Sequence, residues 1–196
     1  MIRRITCSSA ASDHLFTAVF MSFTFLLLSP ERKNTVNIPE PTEKFETVLD
    51  ISPAVLEKYG IRGIVTDLDD TLSEHGSPDP SGETVKWLEK MKEIKMPVCI
   101  VSNNTRRRTA PFADKIGVGY FCNAMKPSTR CVELALAVMG VERNEAVFVG
   151  DQLFTDVKTA HKAGIKSFLV RPVGNKTTLF IKLKRLVEAR MTKEGK

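Results

Sequence analysis

The sequence predicts an α/β fold: a doubly wound parallel sheet of about five strands, with helices on both faces. Two observations predict this fold. Short apolar strands alternate along the chain with amphipathic helices, as in parallel sheets that are covered on both faces. Polar residues suited to phosphate and metal follow the strands at their carboxyl ends, where ligands bind in open α/β sheets.

Each predicted element has a local signal. The strands are the apolar segments IRGIVTD (61–67), PVCIV (97–101), VGYFC (118–122), AVFVG (146–150) and KSFLV (166–170). The helices are predicted over 52–60, 81–95, 105–116, 128–139 and 156–163. Ser52 and Ser128 can cap helix amino ends, while Gly60, Gly140 and Gly164 can end helices. In the helix at 81–95, apolar residues recur at helical spacing: Val85, Leu88, Met91 and Ile94.

Composition excludes several classes of protein. The chain has 196 residues, enough for one domain with a core, and 42% apolar with 27% charged residues is typical of a soluble globular protein. The four cysteines form no CxxC pair, which favours a reducing, cytoplasmic compartment and excludes a disulfide framework or a zinc site. The sequence shows neither a basic helix with base-reading spacing nor an aromatic-studded sheet, so nothing in it indicates nucleic-acid binding.

Residues 1–44 are predicted to be poorly ordered or peripheral, and they precede a folded domain at 45–196. An uncharged, mostly apolar run of 14 residues covers 15–28, whereas a membrane-spanning helix needs ~20. A charged segment follows the run in place of a small-residue cleavage site. A peripheral segment, or a translation start at Met21, is therefore favoured over a membrane span. The polar, proline-rich stretch at 30–44 is typical of a linker.

The net charge of +6 is concentrated at the C-terminus, where residues 171–196 carry eight Lys or Arg and two Glu. Within this tail, residues 177–191 place leucines on one helical stripe and basic residues mostly elsewhere. Such a helix either contacts an anionic membrane surface peripherally or packs on the sheet with its charged face in water. The first alternative predicts a cytoplasmic protein at the inner membrane surface.

Chemically useful side chains follow four of the predicted strands. They are Asp67, Asp69 and Thr71 after the first, Ser102, Asn103 and Asn104 after the second, Lys126 beyond the third, and Asp151 and Asp156 after the fourth. Since the carboxyl ends of parallel strands meet at one edge of a sheet, all four groups are expected in one crevice.

These residues, in this order, resemble the four motifs of the haloacid dehalogenase-type phosphatases. The resemblance rests on DLDDT, a strand-terminal Ser, a following Lys and GDxxxxD, and it covers residues 61–172. GDQLFTD and VSNN are similar to strings of the YqeG family, a phosphatidylglycerophosphatase-like branch. The resemblance implies a phosphatase of phospholipid biosynthesis.

The resemblance also implies roles for the acidic residues. Asp67 is the expected nucleophile, forming an aspartyl-phosphate that water hydrolyses. Mg²⁺ is the expected cofactor, held by Asp67, Asp151, the backbone carbonyl of Asp69 and, through a water, Asp156. The Asp69 side chain would act as general acid and base, and Thr71 would orient its loop in the phosphate-binding site.

The remaining motif residues are expected to bind phosphate. Ser102 and the amide of Asn103 would hold phosphoryl oxygens, and Lys126 would neutralise charge in the transition state. An alternative partner for Asp156 is Lys126 itself. Asp70 is expected to face away, and His75 to be a solvated loop residue. The arginines at 106–108 are either solvated or contact a second phosphate at the crevice rim.

The expected substrate is a phosphorylated molecule. Related phosphatases often select substrates with an inserted cap domain, and residues 72–81 and 104–126 leave no room for one, which suits a lipid headgroup. An open crevice fits a phosphoprotein equally well. Three hypotheses therefore stay open: phosphatidylglycerophosphate phosphatase, the same chemistry on a phosphoprotein or soluble phosphometabolite, and a non-catalytic protein with a phosphate pocket.

Overall fold

One six-stranded sheet organises the computed structural model, which describes residues 39–173. The strands are β1 (Glu43–Phe45), β2 (Gly63–Thr66), β3 (Val98–Val101), β4 (Gly119–Phe121), β5 (Ala146–Gly150) and β6 (Lys166–Val170). They lie in the order β1-β6-β5-β2-β3-β4, and every neighbouring pair is parallel. The predicted doubly wound parallel sheet is confirmed, with one strand more than expected.

Helices cover both faces of this sheet. They are α1 (Pro53–Lys58), α2 (Gly82–Glu93), α3 (Arg106–Ile116), α4 (Arg130–Met139) and α5 (Lys158–Ala163). Successive residues of β2 point to opposite faces, so Ile64 packs with α1–α3 residues and Val65 with α4 and α5 residues. The first cluster includes Leu56, Met91 and Phe112, and the second Val132, Leu136 and Ala160. Both faces of the central strands are therefore buried against helices.

Most predicted helix ends agree with the structure. The Ser52 hydroxyl accepts a hydrogen bond from the Val55 backbone N–H, and Gly140 and Gly164 end α4 and α5 with left-handed backbones. Ser128 is not a cap, because α4 begins at Arg130 and the Ser128 backbone N–H donates to the Met125 carbonyl in a preceding turn.

Strand β1 corrects the predicted linker at 30–44. The backbone of residues 43–45 pairs with β6, and the Thr42 N–H donates to the Ser167 carbonyl at 2.8 Å. The linker prediction was wrong here because a three-residue edge strand needs no long apolar run. The wider division of the chain at residue 44 stays a prediction.

The strand register brings the carboxyl ends of β2, β3 and β5 to one edge. Thr66 lies opposite Ile100 on one side and Val149 on the other. The pairing continues beyond β2, since the Asp67 N–H donates to the Val149 carbonyl at 2.9 Å. Residues 67, 102 and 151 consequently leave the sheet side by side.

The described chain has no cap domain. Residues 72–81 form a turn-rich connection between β2 and α2, and residues 104–126 contain only α3, β4 and their connecting turns. The apolar run at 15–28 and the basic segment at 177–191 lie outside the described residues. Within residues 39–173, no helix is long and apolar enough to cross a membrane.

Replacing Gly63 by alanine should destabilise the sheet. A Cβ at this buried position would lie 2.7 Å from Cγ2 of Val141, so one of them must move. We expect the free energy of unfolding to fall by about 1–3 kcal/mol in urea titrations. Gly119→Ala is the matched control, because its Cβ would meet only Cys99 Sγ at 3.7 Å. Equal stability of the two variants would contradict this packing.

Candidate active site

A polar cavity lies at the carboxyl edge of the sheet, with a volume of about 220 Å³. Its lining residues are Asp67, Asp69, Asp70, His75, Ser102, Asn103, Asn104, Lys126, Gln152 and Thr155. None of these side chains is apolar. The cavity is smaller than the ~300 Å³ at which pockets begin to enclose a drug-sized ligand, so it suits a phosphoryl group better than a whole metabolite.

Lys126 lies between two carboxylates at the base of this cavity. Its Nζ is 2.8 Å from Asp67 Oδ1 and 2.7 Å from Asp156 Oδ1, and its side chain is only 2% exposed. Burial opposes the charged lysine, but Asp156 and Asp67 together hold the pKa of Lys126 above its ordinary value. The lysine is therefore a fixed positive charge in the cavity.

The carboxyl group of Asp67 is unusually basic for an aspartate. Burial raises its pKa to about 6; Lys126 counteracts this rise and Asp156 adds to it. Asp67 follows β2 directly and lines the cavity.

Asp156 reaches this group through a π-helical turn, Leu153–Val157, that precedes α5. Its Oδ2 accepts a hydrogen bond from the Gln152 N–H at 3.1 Å. The side chain also lies against Gly150, where an added Cβ would be 2.4 Å from Asp156 Oδ2. The glycine of the GD pair thus permits this close approach.

Asp151 carries the clearest sign of a missing partner. Both of its carboxylate oxygens are buried and, among the described residues, neither has a hydrogen-bond partner. Burial, with Asp156, Asp67 and Asp70 nearby, raises its pKa to about 8. Such an unpaired buried carboxylate is costly unless a cation compensates it.

Three of these carboxylates could bind one metal ion. Asp67, Asp151 and Asp156 each offer an oxygen, and the three oxygens lie within 4.8 Å of one another. An all-oxygen set suits a hard divalent cation. The residues present therefore fit the metal that the sequence predicts, although the Asp69 side chain is not part of this cluster.

The carboxylate of Asp69 turns instead towards α3. Its Oδ2 accepts from Asn104 Nδ2 at 2.8 Å, and its Oδ1 accepts from the Arg108 guanidinium at 2.6 Å. His75 Nδ1 lies 3.5 Å from Asp69 Oδ2. Asp69 thus lines the cavity with its side chain held by neighbouring residues.

Only some of the predicted phosphate-binding residues line the cavity. Ser102 Oγ lines the cavity and accepts from Asn104 Nδ2 at 3.0 Å, while Asn103 Oδ1 accepts from the Lys126 backbone N–H at 2.7 Å. Thr71 does not line the cavity, and its buried hydroxyl has no hydrogen-bond partner within residues 39–173.

The structure corrects the prediction for one cavity residue, Asp70, and adds a contact to the prediction for another, His75. Asp70 does not face away: its φ of 61° breaks the strand alternation, and it lines the cavity and accepts from the His75 N–H. The His75 side chain is 59% exposed, as expected of a loop residue, but it also lines the cavity. The ion pair between Arg108 and Asp69 could not be predicted from the sequence, in which Arg108 is simply the last of three consecutive arginines.

Comparisons with known proteins identify the family of this chain. A family model described as a haloacid dehalogenase-like hydrolase matches residues 54–164. The chain belongs to the haloacid dehalogenase-like hydrolases. A relative named "Probable phosphatase YqeG", from Bacillus subtilis, is 34% identical over 151 residues, which cover 77% of this chain and 88% of the relative. The predicted superfamily, its YqeG branch and the predicted enzyme class, a phosphatase, are confirmed.

Solved structures show more distant similarity to this chain. The cobalt-bound deoxy-D-mannose-octulosonate 8-phosphate phosphatase of Haemophilus influenzae is 13% identical, with 59% of this chain and 70% of that chain covered and a TM-score of 0.48. A superfamily hydrolase from Ehrlichia chaffeensis is 14% identical, with 56% and 90% covered and a TM-score of 0.47. These scores are too low to support a functional comparison.

The unpartnered Asp151 leads to a prediction about stability. In chelator-treated protein, Asp151→Asn should raise the free energy of unfolding by about 1–3 kcal/mol, because a neutral amide avoids the cost of burying an unpaired carboxylate. Thermal unfolding should then show a higher Tm for the variant without metal. Added Mg²⁺ should raise the Tm of the unsubstituted protein but not that of the variant.

The matched control is Asp114→Asn, since Asp114 is exposed on α3. It should change neither the metal-free Tm nor the response to Mg²⁺. An Asp151→Asn variant that is destabilised without metal and still stabilised by Mg²⁺ would contradict the assignment.

Proposed function

We propose that this hydrolase is a Mg²⁺-dependent phosphomonoesterase that forms an aspartyl-phosphate on Asp67, and that its substrate is phosphatidylglycerophosphate. The observation that supports the chemistry best is Asp67 itself, a buried carboxylate that lines a polar cavity 2.8 Å from Lys126 Nζ. Asp67, Asp151 and Asp156, with the backbone carbonyl of Asp69, would hold the metal. When bound, Mg²⁺ offsets the repulsion between the carboxylate and the phosphoryl group.

Asp67 performs the first chemical step. One of its oxygens attacks phosphorus, and the bond from phosphorus to the leaving oxygen breaks. Asp69 gives its proton to that leaving oxygen as general acid. The ammonium group of Lys126 compensates the charge on the phosphoryl group, and the Ser102 hydroxyl and the Asn103 amide bind its oxygens.

Asp69 then assists the second step. Its carboxylate takes a proton from a water molecule, which attacks the phosphorus of the aspartyl-phosphate. The bond from phosphorus to Asp67 breaks, so inorganic phosphate leaves and Asp67 is regenerated. No external reductant, oxidant or second substrate is needed.

The lipid substrate is supported by what surrounds the cavity. A volume of about 220 Å³ accommodates the phosphoryl group and leaves most of a larger substrate outside. Since the described chain has no cap over this opening, a phosphate presented at a membrane surface can reach it. A cytoplasmic enzyme held at the inner membrane surface, with its basic C-terminal segment against anionic lipid, would suit that substrate.

The test is phosphate release from phosphatidylglycerophosphate in mixed micelles with Mg²⁺. Asp67→Asn should reduce kcat by at least about 10⁴-fold, because the nucleophile is lost, whereas Asp114→Asn should retain activity. Chelator should abolish release by the unsubstituted protein.

Other results would select the remaining hypotheses. Phosphate release from soluble phosphoesters or a phosphoprotein, but not from the lipid, would keep the chemistry and reject the substrate. If nothing is hydrolysed and a partner binds equally well to Asp67→Asn, the protein is a non-catalytic phosphate-binding protein.

A further inference from the structure

The structure points to Arg108 as a positioning residue that holds the carboxylate of Asp69 for proton transfer to the leaving oxygen. This inference rests on the proposed function, in which Asp69 is the general acid and base. It adds a specificity role: Arg108 determines how well the enzyme expels poor leaving groups.

Both oxygens of Asp69 are held from α3 and the loop before it. Arg108 donates to Oδ1 at 2.6 Å, and Asn104 Nδ2 donates to Oδ2 at 2.8 Å. A weaker contact from the Gly76 N–H, at 3.4 Å, also reaches Oδ1. Donors on two different oxygens fix both the direction and the plane of the carboxylate, and the charged donor is the stronger.

Arg108 is itself held in place. Its side chain is 18% exposed, and the central carbon of its guanidinium lies 5.3 Å from the ring centroid of Phe112. Phe112 is fully buried one helical turn later, so the arginine rests on the core. Arg106 and Arg107, the two preceding residues, are exposed. Of the three consecutive arginines, the third is therefore the one that pairs with Asp69.

The two oxygens of Asp69 have different neighbours, and this gives them different roles in the proposed reaction. Oδ1 is occupied by the guanidinium, which cannot accept a proton. Oδ2 lies near Asn104 and His75, both of which line the cavity. In the proposed reaction Oδ2 is therefore the oxygen that serves the leaving group, and losing Arg108 would free the carboxylate to rotate away from that position.

Misplacing Asp69 should matter in proportion to the basicity of the leaving group. A phenolate needs a proton as its bond to phosphorus breaks, whereas p-nitrophenolate is stable enough to leave without one. The two aryl phosphates are similar in size, so a comparison between them isolates protonation from binding.

The experiment measures kcat/KM for phenyl phosphate and p-nitrophenyl phosphate, because this ratio covers only the steps up to formation of the aspartyl-phosphate. For Arg108→Ala we expect a roughly 10- to 100-fold loss on phenyl phosphate and less than about threefold on p-nitrophenyl phosphate. On p-nitrophenyl phosphate, kcat should still fall, with a burst of p-nitrophenol, because Asp69 also activates the water of the second step.

Two further variants keep the result interpretable. Arg107→Ala, the exposed neighbour, should match the unsubstituted protein on both substrates. Arg108→Lys keeps a charge and one donor, so it should recover part of the loss on phenyl phosphate, and it supplies the test if Arg108→Ala does not fold.

Equal losses of kcat/KM on both substrates in Arg108→Ala and Arg108→Lys would overturn the inference, since a purely structural role has that effect. A raised KM with unchanged kcat on both substrates would also overturn it, in favour of substrate binding. Failure of the proposed function is separate: it appears as undiminished phosphate release by Asp67→Asn.

Discussion

The ammonium group of Lys126 lies between the carboxylates of Asp67 and Asp156, and the charge balance around it constrains the whole site. Burying three charged groups is expensive, and only short contacts with good geometry compensate that cost. One lysine cannot also neutralise Asp151, whose buried oxygens have no partner within the described chain. A bound cation would complete the balance, and without one the same excess of negative charge would repel a phosphate.

The parallel sheet makes this concentration of charge possible. Residues after β2, β3 and β5 leave the sheet at one edge because the register of the strands aligns their carboxyl ends. The dry, well-packed strands below supply rigidity, so the carboxylates cannot separate to relieve their repulsion. Asp69 is held differently, by Asn104 and Arg108 on the α3 side of the cavity. The site thus combines a cluster of buried charges around Lys126 with a general acid, Asp69, that is held by other residues.

The sequence was sufficient to predict the sheet, which depends on local patterns, and the meeting of residues that follow the strand ends. Alternating apolar segments indicated the sheet, and the motif residues indicated that Asp67, Lys126 and Asp151 would meet. It could not predict β1, because a three-residue edge strand is defined by its partner rather than by its own composition. Nor could it predict the turn of Asp70 into the cavity, which depends on a left-handed backbone. The pairing of Arg108 with Asp69 joins residues 39 apart in sequence, so only the folded chain shows it.

The most direct test of the account is to trap the covalent intermediate on Asp67. An Asp69→Asn variant mixed with p-nitrophenyl phosphate and Mg²⁺ should release p-nitrophenol but hydrolyse the aspartyl-phosphate slowly, because the general base is missing. Acid quenching, digestion and mass spectrometry should then find one phosphoryl group on the peptide that contains Asp67. Release of p-nitrophenol with no phosphorylated peptide, or with the phosphoryl group on another residue, would contradict the assignment of Asp67 as nucleophile.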